Sequence, residues 1–169
     1  MNVAIIGGGA SGLFAAAVIS KYCNVVVFEK NEKVGKKIYI TGKGRCNFTN
    51  NCSVDEFLEN VIDGKKFLQS ALRSFPPQKT LNFFEDNSMQ YVVERGNRAF
   101  PRSMKASDVT KTLVKVISDN NGEIRCNCKV YDVTKSQRFC VKVEAMLFTA
   151  YERRPAMTIA SCGSVSAIT

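Results

Sequence analysis

The sequence predicts an α/β fold built on a parallel βαβ unit. Two short apolar runs, "VAIIG" (Val3 to Gly7) and "NVVVFEK" (Asn24 to Lys30), have the length and β-branched content of buried parallel strands. An alanine-rich stretch between them, Gly12 to Lys21, reads as a helix that packs closely on a sheet. Glycines join the first run to that helix. Strand, glycine turn, helix and strand in immediate succession make the unit.

The later elements follow from the same signals. Ser53 to Phe75 is a helical region, because Leu58, Val61, Ile62, Leu68, Leu72 and Phe75 recur at helical spacing. Ser53 and Glu56 have the spacing of a capping box, Gly64 kinks or splits the region, and Pro76-Pro77 stops it. A short helix is expected near Lys79 to Glu85. Met89 to Glu94 reads as a strand, followed by a Gly96-Asn97 turn. Pro101 closes an extended segment, and Ser107 is a candidate cap for an amphipathic helix over Ala106 to Ser118. Glu123 to Val133 and Phe139 to Glu144 read as a hairpin with a polar turn at Lys135 to Gln137. Beyond Ala145 neither alternation nor helical spacing holds.

Composition narrows the chemistry. The 169 residues suffice for one domain with a real core. A net charge of +9 favours anionic ligands without choosing one. Six basic residues fall within Lys30 to Asn50 and six within Arg95 to Lys115, each stretch with one acid. Such runs suit phosphate-bearing ligands or simply a solvated face. The longest apolar run, Leu13 to Ile19, is too short to span a bilayer, so no membrane association is expected. Seven cysteines, an odd number, with no secretory pattern at the N-terminus point to free thiols in the cytoplasm. There is no histidine and no C-x-x-C, so no metal site is expected and Ser-His or Cys-His catalysis is excluded.

The chemistry-bearing motif is Gly7-x-Gly9-x-x-Gly12, between strand and helix, with Glu29 at the end of the next strand. Together these form a dinucleotide fingerprint. Gly7 permits the turn, Gly9 lets a pyrophosphate approach the backbone, and Gly12 lets the helix pack closely. The helix N-terminus then faces the phosphates. Glu29 can hold a ribose diol and disfavours a 2′-phosphate. The fingerprint alone does not separate NAD from FAD.

Three blocks, "VAIIGGGASGLFAA", "VVVFEKNEKVGKKIYITGKGRCNFTN" and "RAFPRSMKASDV", resemble the HI0933-like (BaiN/YhiN-type) flavoproteins, over Met1 to about Glu144. The resemblance implies an FAD-binding Rossmann-like domain with a βαβ start, a helical insertion and a β-hairpin. Gly7, Gly9, Ala10, Ser11 and Gly12 would wrap the pyrophosphate. Glu29 would hold the adenosine ribose, with Lys30 beside the adenine. Lys36 and Lys37 would lie towards the phosphates and ribose, and Gly44, Arg45, Cys46 and Asn47 along the flavin side. Val130 would offer backbone to the adenine edge. Lys33 and Lys43 read as solvated. Cys46 and Cys52 have the wrong spacing for the redox pair of FAD disulfide reductases, so no catalytic disulfide is expected. Arg98, Arg102 and Lys105 match the family without an assigned role, and no catalytic acid or base is assigned.

Relatives of this kind are longer than this chain. The expected domain is therefore incomplete: 1–144 as the N-terminal part of the FAD-binding domain, and 145–169 as an atypical tail of a truncated or frameshifted frame. The expected function is that of the FAD-binding part of an NAD(P)H-dependent flavoprotein oxidoreductase, passing electrons to a small-molecule acceptor. The alternative is a non-catalytic FAD- or nucleotide-binding fragment without its substrate domain. A flavoprotein associated with tRNA or another nucleic acid is a third, less favoured reading, since the basic clusters coincide with the cofactor-facing blocks.

Overall fold

The computed structural model of the chain describes residues 1–135, 139–145 and 165–168. It falls into two compact units, one of residues Met1–Lys36 with those from Leu113 on, the other of Lys37–Thr112.

The first unit contains β1 (Asn2–Ile6), α1 (Ala10–Ile19) and β2 (Asn24–Phe28). Its sheet has four parallel strands in the order β6-β2-β1-β9, with β6 at Glu123–Arg125 and β9 at Val165–Ile168. Alternation divides the side chains of β1 and β2 between two faces. Val3, Ile5, Val25 and Val27 are buried, and Ile5 lies against the start of α1. Helix α1 buries Leu13, Ala16 and Ala17 completely; the alanines allow close approach to the sheet. Ala4, Val26 and Phe28 point the other way. There they pack with Cys128, Val130, Val141 and Val143 of an antiparallel hairpin, β7 (Cys128–Lys135) and β8 (Phe139–Ala145). Because both faces are covered, the strands are apolar throughout instead of alternating with polar residues.

The reading of Glu123 to Val133 as one strand is corrected. Asn127 takes φ +53°, and the chain changes partners there. Before it, β6 pairs in parallel with β2; after it, β7 pairs with β8. The amides of Asn127 and Cys128 donate to the carbonyls of Asn31 and Glu29 at 2.9 and 2.8 Å. Strand β9 was not expected, since Val165 to Ile168 lies in the stretch without pattern; it pairs with β1 on the side away from β2. The expected turn residues Ser136 and Gln137, and most of the atypical tail, lie outside the described residues.

The second unit has a three-stranded antiparallel sheet in the order β3-β5-β4 (Thr49–Asn50, Arg98–Pro101, Tyr91–Glu94) with α2 (Val54–Glu59), α3 (Lys65–Ser74) and α4 (Pro77–Asp86). The capping box forms: the Glu56 amide donates to Ser53 Oγ and the Ser53 amide to Glu56 Oε2. Gly64, at φ +78°, splits the helical region into α2 and α3. Leu81, Phe84, Ala99 and Phe100 make the buried centre, with Phe48 edge-on to Phe84 at 4.8 Å. Helix α5 (Ala106–Asp119) begins in this unit and ends in the first. Ser107 does not cap it. Ser107 lies within its first turn, with its hydroxyl against Asp108 Oδ1.

Candidate functional site

The glycine turn of the first unit shows why its residues are glycines. Gly7 has φ +101°, a conformation that side chains disfavour, and its amide donates to Phe28 O at 2.8 Å. A Cβ on Gly12 would lie 2.0 Å from the Gly7 carbonyl oxygen and 3.3 Å from Ile5 Cγ2, so a hydrogen there is a condition of α1 packing on the turn. A Cβ on Gly9 would meet nothing within 4 Å. Gly9 is the N-cap of α1, no side chain caps that end, and Gly9, Ala10 and Ser11 are exposed. The first helical bond runs from Leu13 N to Gly9 O at 2.9 Å, so the amides of Ala10, Ser11 and Gly12 precede the helical ladder. Amides of this kind, with the positive end of the helix dipole, suit a phosphate group.

Glu29 is 7% exposed, at the C-terminal end of β2. Its Oε2 accepts from the Gly8 amide at 2.7 Å. Its Oε1 accepts from the Asn31 amide at 2.8 Å and from Asn31 Nδ2 at 2.5 Å. Burial alone would raise this carboxyl. The Asn31 and Gly8 amides, the Asn31 carboxamide and nearby Lys30 outweigh it and hold the group below the ordinary carboxylate range. Glu29 is therefore an anion beside the glycine turn at neutral pH.

Sequence reasoning missed four residues that build this corner: Gly8, Val34, Gly35 and Asn31. A Cβ on Gly8 would come within 2.6 Å of Val34 Cγ1 and 3.2 Å of Glu29 Oε2. The Gly35 amide donates to Gly8 O at 2.7 Å and folds the segment after Glu29 back onto the turn. Asn31 holds the carboxylate. The run of three glycines, where the fingerprint needs only the first and third of them, was the available signal for Gly8.

The other expected contacts divide between the units. Lys30 is exposed. Lys36 pairs with Glu32 at 2.8 Å in the first unit, whereas Lys37 opens the second. Val130 pairs with Val143 in the hairpin, next to a bulge before Asp132. In the second unit, Gly42, Lys43, Gly44 and Cys46 all take positive φ, so the block containing "GKGRC" is a tight knot. Arg45 Nη1 pairs with Glu94 Oε1 at 2.8 Å, and the guanidinium stacks over the Phe100 ring at 4.4 Å. Asn47 Nδ2 donates to Thr49 O at 2.7 Å and to Ala99 O at 3.0 Å, tying the knot to β5. Cys46 is buried, and burial pushes its thiol up against the weaker effect of Thr41. Burial, aided by Glu56, also raises the Cys52 thiol. Both cysteines are free. A cavity of about 710 Å³ within this unit is lined by Asn47, Asn50, Cys52, Phe57 and Asn97 among others, and Glu56 is its charged lining residue. That lining suits a neutral organic group better than a phosphate. Among the described residues no group of three metal-ligating side chains occurs, and no helix is long and apolar enough to cross a membrane.

The HI0933-like protein Rossmann domain matches residues 1–168. The chain belongs to this family. It is an FAD-binding Rossmann family of flavoprotein oxidoreductases, and its match continues past Glu144, where the likeness of the sequence motifs had been expected to stop. The 3-dehydro-bile acid delta(4,6)-reductase of Clostridium scindens is 32% identical over 153 residues, covering 88% of this chain and 37% of the reductase. The ribosomal RNA dihydrouridine synthase of Escherichia coli is 31% identical over 142 residues, covering 70% of this chain and 35% of the synthase. The HI0933-like chain thus spans little more than a third of these relatives' lengths. Among solved structures, the 3-ketosteroid-delta4-(5alpha)-dehydrogenase of Rhodococcus jostii shares the fold, with a TM-score of 0.62 at 11% identity over 85% of this chain and 42% of the dehydrogenase.

Proposed function

We propose that the glycine turn and Glu29 bind the ADP part of FAD, and that the chain is the cofactor-binding part of an NAD(P)H-dependent oxidoreductase. The observation that carries the reading is the open face of Gly9, at an uncapped helix N-terminus beside an ionised carboxylate. Ala10, Ser11 and Gly12 would donate amides to the pyrophosphate. Glu29 would accept a ribose hydroxyl on Oε2 and repel a 2′-phosphate. Lys30, Lys36 and Lys37 would offset phosphate charge. When bound, the flavin supplies two-electron hydride chemistry. In the second unit the Arg45 and Asn47 side chains already have protein partners.

The names of two relatives suggest the acceptor class. A delta(4,6)-reductase acting on a 3-dehydro-bile acid and an enzyme that makes dihydrouridine both saturate a carbon–carbon double bond conjugated to a carbonyl. We infer a small organic acceptor of that kind. A second reading, a base within RNA, is favoured by the E. coli relative's name and the net charge of +9.

Absorption spectra of the purified chain with added FAD test the first step, and anaerobic NADH or NADPH tests the second. A shifted flavin band that bleaches supports the reading. A shifted band that neither nucleotide bleaches leaves a cofactor-binding chain and sinks the donor. A folded chain that holds no flavin overturns the reading. Oxidation of the reduced protein by a conjugated 3-oxo steroid, but not by a uridine-containing RNA, would choose between the acceptors.

A further inference from the structure

We propose that Asn31 is a positioning residue that fixes the Glu29 carboxylate for nucleotide binding. The nucleotide part of this proposal rests on the FAD reading above. Asn31 meets Glu29 twice, through its amide and its carboxamide, and both bonds fall on Oε1. Oε2 is taken by the Gly8 amide from the opposite side. The carboxylate is thereby held at both oxygens, with a further lone pair on Oε2 available to a ribose hydroxyl.

Asn31 is itself held in place. Its carbonyl accepts from the Asn127 amide at 2.9 Å, and its Oδ1 faces Lys36 Nζ at 3.4 Å. The lysine ammonium requires the carboxamide oxygen on its side, which turns the NH2 group to Glu29. Other groups cannot replace this support. Arg125, whose carbonyl accepts from the Glu29 amide at 2.8 Å, has its guanidinium paired twice with Glu123 at 2.7 Å. Lys30 acts on Glu29 through its charge, and from the β6–β7 connection the Cys126 thiol faces Glu29, whose charge helps raise it after burial itself. A carboxylate this buried stays ionised only while donors outweigh the loss of water.

Two measurements on the full chain test the proposal. The first is the titration of the Glu29 carboxyl by carbon-13 NMR without flavin. The second is the FAD dissociation constant from flavin fluorescence between acid and neutral pH. Asn31→Ala should raise the Glu29 midpoint by about half a unit to one unit, and Asn31→Asp, which sets a second anion against it, by more than about one. FAD affinity should fall by about tenfold in Asn31→Asp at neutral pH.

The sign follows from the charge. Glu29 is held low, so binding that needs its anion is full above its midpoint and lost as pH falls through it. That loss should begin at higher pH in both variants than in wild type. Glu29→Gln should remove the pH dependence in every background. Amide spectra and melting curves report whether each variant folds. Glu29 midpoints equal to wild type in both variants overturn the proposal, and so does a shifted midpoint with unchanged FAD binding. A wild-type chain that holds no FAD, with the midpoint shifted in the variants, keeps Asn31 as the residue positioning Glu29 and removes the FAD reading instead.

Discussion

Replacing Gly12 by alanine separates packing from binding at the glycine turn. The new methyl would lie 2.0 Å from Gly7 O, 3.2 Å from Gly7 C and 3.3 Å from Ile5 Cγ2. Real contacts of this type stay beyond 3.0 Å, so α1 or the turn must shift by about 1 Å. The turn cannot yield easily, because the Gly7 amide is bonded to Phe28 O at 2.8 Å and the obstructing atom is backbone. Overpacking of this severity costs about 2–3 kcal/mol. In a domain of this size that lowers the midpoint of thermal unfolding by about 4–12 °C. Gly9→Ala is the paired control. Its methyl meets nothing within 4 Å, and its φ of −80° suits alanine. A poorer N-cap and a less flexible unfolded chain offset each other, so its stability should change by less than about 0.5 kcal/mol. Its FAD affinity should nevertheless fall by about ten- to a hundredfold, as the methyl holds the pyrophosphate off the amides. Calorimetry and fluorescence titration read the two effects. A Gly12→Ala chain that melts within about 1 °C of wild type would refute the close-approach argument. A Gly9→Ala chain with unchanged affinity would show that the pyrophosphate does not lie over this face.

Gly8→Ala should destabilise by about 1–2 kcal/mol, because its methyl would collide with Val34 Cγ1 at 2.6 Å. The obstructing atom is a side-chain methyl, so adding Val34→Ala should recover most of that loss, and urea unfolding of the double variant checks it. The Arg45–Glu94 pair is about a third exposed on each side, so a double-mutant cycle should give no more than about 1 kcal/mol, smaller in high salt. Arg45→Lys should lose part of this in low salt too, since lysine cannot reproduce the planar stack over Phe100. Thiol alkylation followed by mass spectrometry should label exposed Cys140 well before buried Cys46, whose raised thiol is protonated at neutral pH. Rapid labelling of Cys46 would revive a redox role for it.

The sequence alone determined the local architecture of the first unit. Two apolar runs, an alanine-rich helix and glycines at fixed spacing are short-range signals, and they predicted β1, α1, β2 and the turn between them. The capping box and the break at Gly64 were legible for the same reason, since each depends on residues a few positions apart. Of the candidate site, the sequence showed the motif that places Gly7, Gly9 and Gly12 at one turn with Glu29 beside it.

Long-range pairing decided the rest. Strand β3 has two residues, too few to show a period, and forms because β5 lies beside it. Strand β6 and the hairpin read as one run, and only the left-handed turn at Asn127 sends their parts to different partners. Strand β9 carries no periodic signal of its own and is defined by the register of β1. Gly8, Val34 and Gly35 meet only because the chain folds back after Glu29, and no spacing rule puts both Asn31 donors on one oxygen of Glu29 and the Gly8 amide on the other. Backbone pairing and the satisfaction of buried charge are properties of residues brought together in space, so tertiary structure supplied them.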